Sequence, residues 1–274
     1  MKSRVLCAAL CALAIGACSS NPDKLPPPNP FKDPQQSVRE QRAQASELYK
    51  SARQALDAAD YQVALQRYDT LTLRYPFTDY ATQAELERIY AQNRSYEQDK
   101  ALSGAEKFLR EHPRHPAADY VQYLKGVVNM DREDSFAGAL GLDTSKEDVS
   151  YSRRAFDDFA LLQQKYPNSK FAADARQRMI YLRNRLADHD LHVVRYYIKR
   201  GGFVAASKRA EQIVQQYPGA PATLDALRFM QQSYKELGLT QQAEDAARLY
   251  EAQVKVLPPA EQPKKGFWAS LFGS

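Results

Sequence analysis

The stretch ALQRYDTLTLRYP, residues 64–76, decides the fold, because its pattern returns along the chain. Ala64, Tyr68, Leu71 and Pro76 are spaced by four, three and five residues. Ala101, Ala105, Phe108 and Pro113 keep those intervals. So do Ala155, Phe159, Leu162 and Pro167, and then Ala206, Ala210, Ile213 and Pro218. A fifth copy, Ala243, Ala247 and Tyr250, has Lys255 where the proline would stand. Positions four and then three apart share one helix face. The small first residue lets a neighbouring helix come close, and the larger third one fills the groove. Proline disfavours helix in the residue before it, so each helix is expected to stop there. That residue is Tyr75, Tyr166 or Tyr217 in three copies and His112 in the other. Thr78 or Asp79, Asp119, Ser169 or Asp174, and Thr223 or Asp225 are candidate caps for the helices that follow.

The spacing resembles the second half of a tetratricopeptide repeat. The resemblance implies an all-α, right-handed solenoid of about five helical hairpins. The first helix of each unit matches that family poorly, without its Trp or a consistent Leu-Gly. Successive prolines are 37, 54 and 51 residues apart, against about 34 in the family. The surplus has to be longer helices or insertions. The largest insertion is DREDSFAGALGLDTSKEDVS, residues 131–150. The composition agrees: 274 residues with 44% hydrophobic content and 11 glycines suit a helical chain with a sizeable core.

Residues 1–17 read as an export signal. Lys2 and Arg4 precede an apolar run, Val5–Ile15, which is shorter than the ~20 residues that span a bilayer. Ile15-Gly16-Ala17-Cys18 resembles the bacterial lipobox. That implies a mature chain beginning at Cys18, with an S-diacylglycerol and an N-palmitoyl group as its only covalent additions. The alternative is ordinary signal cleavage that leaves Cys18 as a free thiol. Ser19, which is not Asp, implies the outer membrane by resemblance to known sorting rules. Residues 18–36 are a linker in which Leu25-Pro26-Pro27-Pro28-Asn29-Pro30 should be extended. Residues 37–258 form the repeat domain. Residues 259–274 are a basic and aromatic tail containing Lys264, Lys265, Phe267, Trp268, Leu271 and Phe272. Cys7 and Cys11 leave with the signal, so no disulfide is expected. Losing Lys2 and Arg4 takes the net charge from +5 to +3, too mild to suggest nucleic-acid binding.

Catalytic signatures are missing. The chain has no G-x-S-x-G and no phosphate-cradling glycine loop, so no enzymatic activity is expected. His112 and His115 lie in His-Pro-Arg-His-Pro, a turn between helices. His189 and His192 read as surface or packing residues, and Asp131, Glu133 and Asp134 lack calcium-loop spacing. No metal and no cofactor are therefore expected. Arg183, Arg185, Arg195, Lys199, Arg200, Lys208 and Arg209 form a basic run across the fourth repeat, either a solvated face or a surface for an acidic partner. Arg74-Tyr75-Pro76-Phe77 adds a second aromatic to a turn, suited either to inter-repeat packing or to an extended, aromatic-ended peptide.

Several features occur in order: the lipobox, the proline linker, Arg74-Tyr75-Pro76-Phe77, Asp134-Ser135 with Gly141-Leu142-Asp143, Tyr166-Pro167-Asn168-Ser169, and Arg200-Gly201-Gly202-Phe203-Val204-Ala205. Together they resemble the BamD family of outer-membrane assembly lipoproteins, from the lipobox to about Gln253. The resemblance implies a non-enzymatic, lipid-anchored scaffold on the periplasmic face of the outer membrane. It implies partners in the BamA periplasmic domain, in BamC-like and BamE-like lipoproteins, and in unfolded outer-membrane proteins. Arg209, with Arg200 and Lys208, corresponds to the BamA contact; Tyr75, Phe77 and Arg74 correspond to client reception. The rival reading is a periplasmic lipoprotein scaffold for cell-envelope or cell-division enzymes.

Overall fold

The computed structural model describes residues 38–133 and 148–256. The export signal, Cys18, the proline linker, most of the insertion and the 259–274 tail lie outside the described residues. The described residues form ten helices and no strand. They are α1 Val38–Asp57, α2 Tyr61–Arg74, α3 Asp79–Arg94, α4 Gln98–Glu111, α5 Ala118–Glu133, α6 Ser150–Lys165, α7 Ala172–Lys199, α8 Phe203–Gln216, α9 Ala222–Glu236 and α10 Thr240–Val256. Contacts divide the chain into two units, residues 1–43 and 44–274. The described part of the first is only the exposed opening of α1. The second holds the rest, an all-α repeat fold.

The motif lies on the even-numbered helices. All twelve of its helical positions in α2, α4, α6 and α8 are buried. Each of these helices ends in the same way. Tyr75, His112, Tyr166 and Tyr217 leave the helical region at φ between −133 and −122° and ψ between 54 and 60°. Each donates its backbone N–H to the carbonyl four residues earlier. The next hydrogen bonds repeat too: Thr78, His115, Ser169 and Ala220 each donate back to the residue before the proline. Proline sets this stop because it removes the helical option from the residue preceding it.

Turns inside the hairpins form a second repeated set. Asp60, Glu97, Gly202 and Leu239 each donate to a carbonyl five residues back, at 2.8 to 3.0 Å. This is the helix-ending loop that needs one left-handed residue. Ala59, Tyr96, Gly201 and Gly238 supply it, with φ from 59 to 72°. The third hairpin carries the insertion at this place.

Hydrophobic clusters join neighbouring units. Leu86 and Ile89 of α3, Ala101, Ala105 and Phe108 of α4, and Val121, Leu124 and Val128 of α5 form one. Ala155, Phe159 and Leu162 of α6 pack with Ala175 and Leu182 of α7 in another. Each motif helix thus buries its face against the first helix of the next unit, the nearest-neighbour logic of a solenoid. The long proline spacings now have causes. One contains the insertion, and the other contains α7, which runs for 28 residues. Ala247 and Tyr250 of the fifth copy are only half-buried, because no further helix covers α10 among the described residues.

Three candidate caps take a backbone amide near a helix start, Thr78, Asp119 (from Tyr120 at 2.7 Å) and Ser169 (from Phe171 at 3.2 Å), while Asp174, Asp225 and Thr223 bond elsewhere. Thr78 does cap α3, accepting from the Ala81 amide at 3.3 Å. Asp174 instead accepts from the Tyr123 hydroxyl at 2.5 Å, linking α5 to α7. Asp225 pairs with Arg195 at 3.0 Å, linking α7 to α9. Asp119 accepts from the Ser169 hydroxyl at 2.6 Å. Thr223 donates to the Tyr217 carbonyl at 3.0 Å. An acid near a helix start can satisfy the backbone or a neighbouring helix, and sequence alone does not distinguish the two.

Candidate partner and client surfaces

The first candidate surface is the turn between α2 and α3. Tyr75 is half-buried, and its hydroxyl donates to Gln44 Oε1 of α1 at 2.6 Å. Phe77, two residues on, is fully exposed, and Arg74 is exposed as well. The turn therefore separates its aromatics: one fastens the turn and the other is presented to solvent. Leu73 is 83% exposed. It stands two residues past Leu71, about 200° around the helix, so it must face away from the core. Sequence reasoning missed it, although its place off the motif face was the available signal. An exposed Leu and Phe beside an Arg can hold an apolar side chain and a nearby negative charge.

Behind that turn lies a buried carboxylate that sequence reasoning also missed. Glu87 of α3 is only 5% exposed. It accepts from Tyr49 at 2.7 Å and Arg53 at 2.8 Å on α1, from Tyr68 at 2.5 Å on α2, and from Gln83 at 2.9 Å. Four donors compensate the cost of burying the charge. Burial, and then the bond to Glu87, pushes the Tyr49 hydroxyl up to about 12. The same causes raise Tyr68 further. This network fixes α1, α2 and α3 together and so sets the direction in which the α2–α3 turn leaves the helices.

The second candidate surface is the fourth hairpin, α7–α8. Here the structure divides the basic run in two. Arg183 donates to the Pro218 and Gly219 carbonyls at 3.0 and 3.3 Å, and Arg195 pairs with Asp225. These arginines brace neighbouring turns and helices. Lys199, Arg200, Lys208 and Arg209 are exposed. Arg200 lies over the Tyr196 ring at 4.8 Å, and Arg209 reaches Gln212 at 3.4 Å. Lys208 and Arg209 begin about 8 Å along α8 from its first residue, at ~1.5 Å rise per residue. The hairpin turn at Gly201 and Gly202 carries Arg200 beside that end of α8. Val204, 55% exposed, adds apolar surface in the first turn of α8. The result is a cationic patch with two apolar side chains, suited to an acidic protein surface.

No described helix is long and apolar enough to cross a membrane. Cys18 lies outside the described residues.

Comparison with known proteins places the chain. The profile of the YfiO family, described as an outer membrane lipoprotein, matches residues 41–249. The outer membrane protein assembly factor BamD of Neisseria meningitidis serogroup A is 36% identical over 229 residues, 81% of this chain and 86% of that one. Its Vibrio cholerae counterpart is 33% identical over 250 residues, 91% and 98% of the two chains. Among solved structures, a tetratricopeptide repeat protein from Parabacteroides merdae covers 80% of this chain and 82% of its own, at 11% identity and a TM-score of 0.35. That likeness is too loose to add to the helices themselves. The profile match across all five hairpins, and the near-full-length relatives, make this chain a member of the BamD family of outer membrane protein assembly factors.

Proposed function

We propose that this chain is a non-catalytic scaffold of the outer-membrane β-barrel assembly machine, lipidated on Cys18 and held on the periplasmic face of the outer membrane. Its fourth hairpin binds the periplasmic domain of BamA through Arg200, Lys208 and Arg209. Its α2–α3 turn receives unfolded outer-membrane proteins through Phe77 and Arg74, with Tyr75 holding the turn in place. BamC-like and BamE-like lipoproteins are further partners. In this reading the 18–36 linker spaces the repeats from the lipid, and two or more acyl chains give a stable anchor. The observation that carries the proposal is the family match, joined to the outward exposure of Phe77 and of the α7–α8 cations. An unfolded client loses entropy on ordering, so its binding should be weak, as suits a protein that passes it on.

The test is co-isolation from outer membranes in mild detergent, with the full chain and with Arg209→Glu. A large barrel protein recovered at about 1:1 with the parent and lost with the variant supports the proposal. Equal recovery with both moves the contact away from Arg209. Absence of any barrel partner would overturn the assembly reading. Cys18→Ser combined with Arg209→Glu should release the chain from the membrane fraction, and retention of that double variant would contradict the lipid anchor.

A further inference from the structure

We propose that Glu85, Glu111 and His112 form a zinc site on the second hairpin, distinct from both surfaces above. One ligand atom from each lies within 4.8 Å of the others. Glu85 comes from α3; Glu111 is the last residue of α4 and His112 follows it. His112 Nε2 stands 3.4 Å from Glu85 Oε2. The imidazole is oriented by packing, with its ring 5.0 Å from that of Phe108, a buried core residue. The other histidine of the turn takes no part. His115 Nδ1 accepts from the Ala117 amide at 3.1 Å, and its ring meets Phe108 edge-on. The sequence pairs His112 with His115, whereas the fold pairs it with an acid 27 residues earlier.

Cationic preference is already visible at the site. Lys107 Nζ lies 3.9 Å from Glu85 and 3.7 Å from Glu111, near both carboxylates but too far for a hydrogen bond to either. Its flexible stem lets the ammonium swing out when a better cation arrives. The C-terminal end of α4 adds partial negative charge. A cavity of about 460 Å³ between α3 and α4 has Glu85 and Lys107 in its lining, so water reaches the site from that side.

The donor set suits zinc better than calcium or magnesium. One imidazole and two carboxylates supply nitrogen and oxygen donors of the kinds zinc takes, with a fourth position left open. Calcium and magnesium take oxygen ligands and more of them. Around a tetrahedral ion the ligand atoms must close to about 3.4 Å apart. Two of the three side chains sit at a helix end and all three are partly exposed, so that adjustment is small. Occupancy would displace Lys107 and clamp the end of α4 to α3.

Calorimetry and thermal unfolding with zinc chloride test this on the untagged, chelator-treated full chain. The expected result is one equivalent of zinc bound and a raised Tm. Glu85→Gln and His112→Gln should each weaken binding by more than about 10-fold, with unchanged circular dichroism. Lys107→Met should tighten it, because a competing charge is gone. His192→Gln, on α7, should leave it unchanged. No binding heat with the parent chain would overturn the site. So would equal affinity in Glu85→Gln and His112→Gln, which would mark the metal as surface-bound.

Discussion

The first and fourth hairpins are built on one plan and finished in different ways. Both end their motif helix at a tyrosine before proline, and both turn through a left-handed residue. In the first, the tie to the next hairpin is buried: Glu87 gathers Tyr49, Arg53 and Tyr68 at 5% exposure. In the fourth, the tie is Arg195 to Asp225, both nearly half exposed, and the buried Tyr217 hydroxyl donates to Asp190 within the hairpin. The surfaces differ as well. The first hairpin ends in exposed Leu73 and Phe77, whereas the fourth displays Arg200, Lys208 and Arg209. Common backbone rules thus fix the shape of a repeat, and the residues off the motif face give each repeat its own chemistry.

The sharpest way to break the comparison is at the two ties. Glu87→Ala should cost about 2–3 kcal/mol, since it leaves the buried Tyr68 hydroxyl and the half-buried Tyr49 hydroxyl without their acceptor. Asp225→Ala should cost no more than about 1 kcal/mol, as for other exposed pairs. Denaturant unfolding of both variants checks this, and similar losses would mean that the two ties do not differ. The turns give a smaller test of the same kind. Gly201 has φ +70° and nothing within 4 Å of an added Cβ, so Gly201→Ala changes only the backbone term and should cost about 1–2 kcal/mol. Ala59, at φ 59°, holds the equivalent place in the first hairpin. Ala59→Gly should therefore stabilise, by up to about 1 kcal/mol. A Tm that falls in Ala59→Gly would contradict the equivalence of the turns.

The tie at Glu87 also predicts an alkaline pH response; in the fourth hairpin burial and the bond to Asp190 raise Tyr217 in the same direction. Unfolded tyrosine ionises near ~10, while Tyr49 in the fold is pushed up to about 12 by burial and by Glu87. A raised folded value gives stabilisation that is complete below about 10 and is lost as pH rises through about 12. Stability should fall across that window, and Tyr49→Phe should make the fall shallower. An unaltered slope would exclude Tyr49 as its source.

The repeat helices were legible because their signal is redundant. Four copies of one spacing, each closed by proline, identify the buried face without reference to its partners, and all twelve helical positions are in the core. Links between units were not legible. Asp174 and Asp225 have the residue type and place of helix caps, yet they answer Tyr123 and Arg195 from neighbouring helices. Glu87 has only Gln83 as a local partner; its other three donors, Tyr49, Arg53 and Tyr68, converge only after α1, α2 and α3 have packed. The basic run could be read as a cluster of charge, but not divided into arginines that brace the fold and cations that face solvent. The same holds for Tyr75 and Phe77, two residues apart and opposite in exposure.

The most direct test of this division of surfaces is a crossed measurement on two full-length variants, Arg209→Glu and Phe77→Ser. Each is assayed for recovery of the barrel partner from outer membranes and for cross-linking to an unfolded barrel polypeptide. The expected result is a double dissociation: Arg209→Glu loses the barrel partner and keeps the client, and Phe77→Ser does the reverse. Loss of both activities in one variant, or of neither in both, would contradict the assignment of partner and client to separate hairpins.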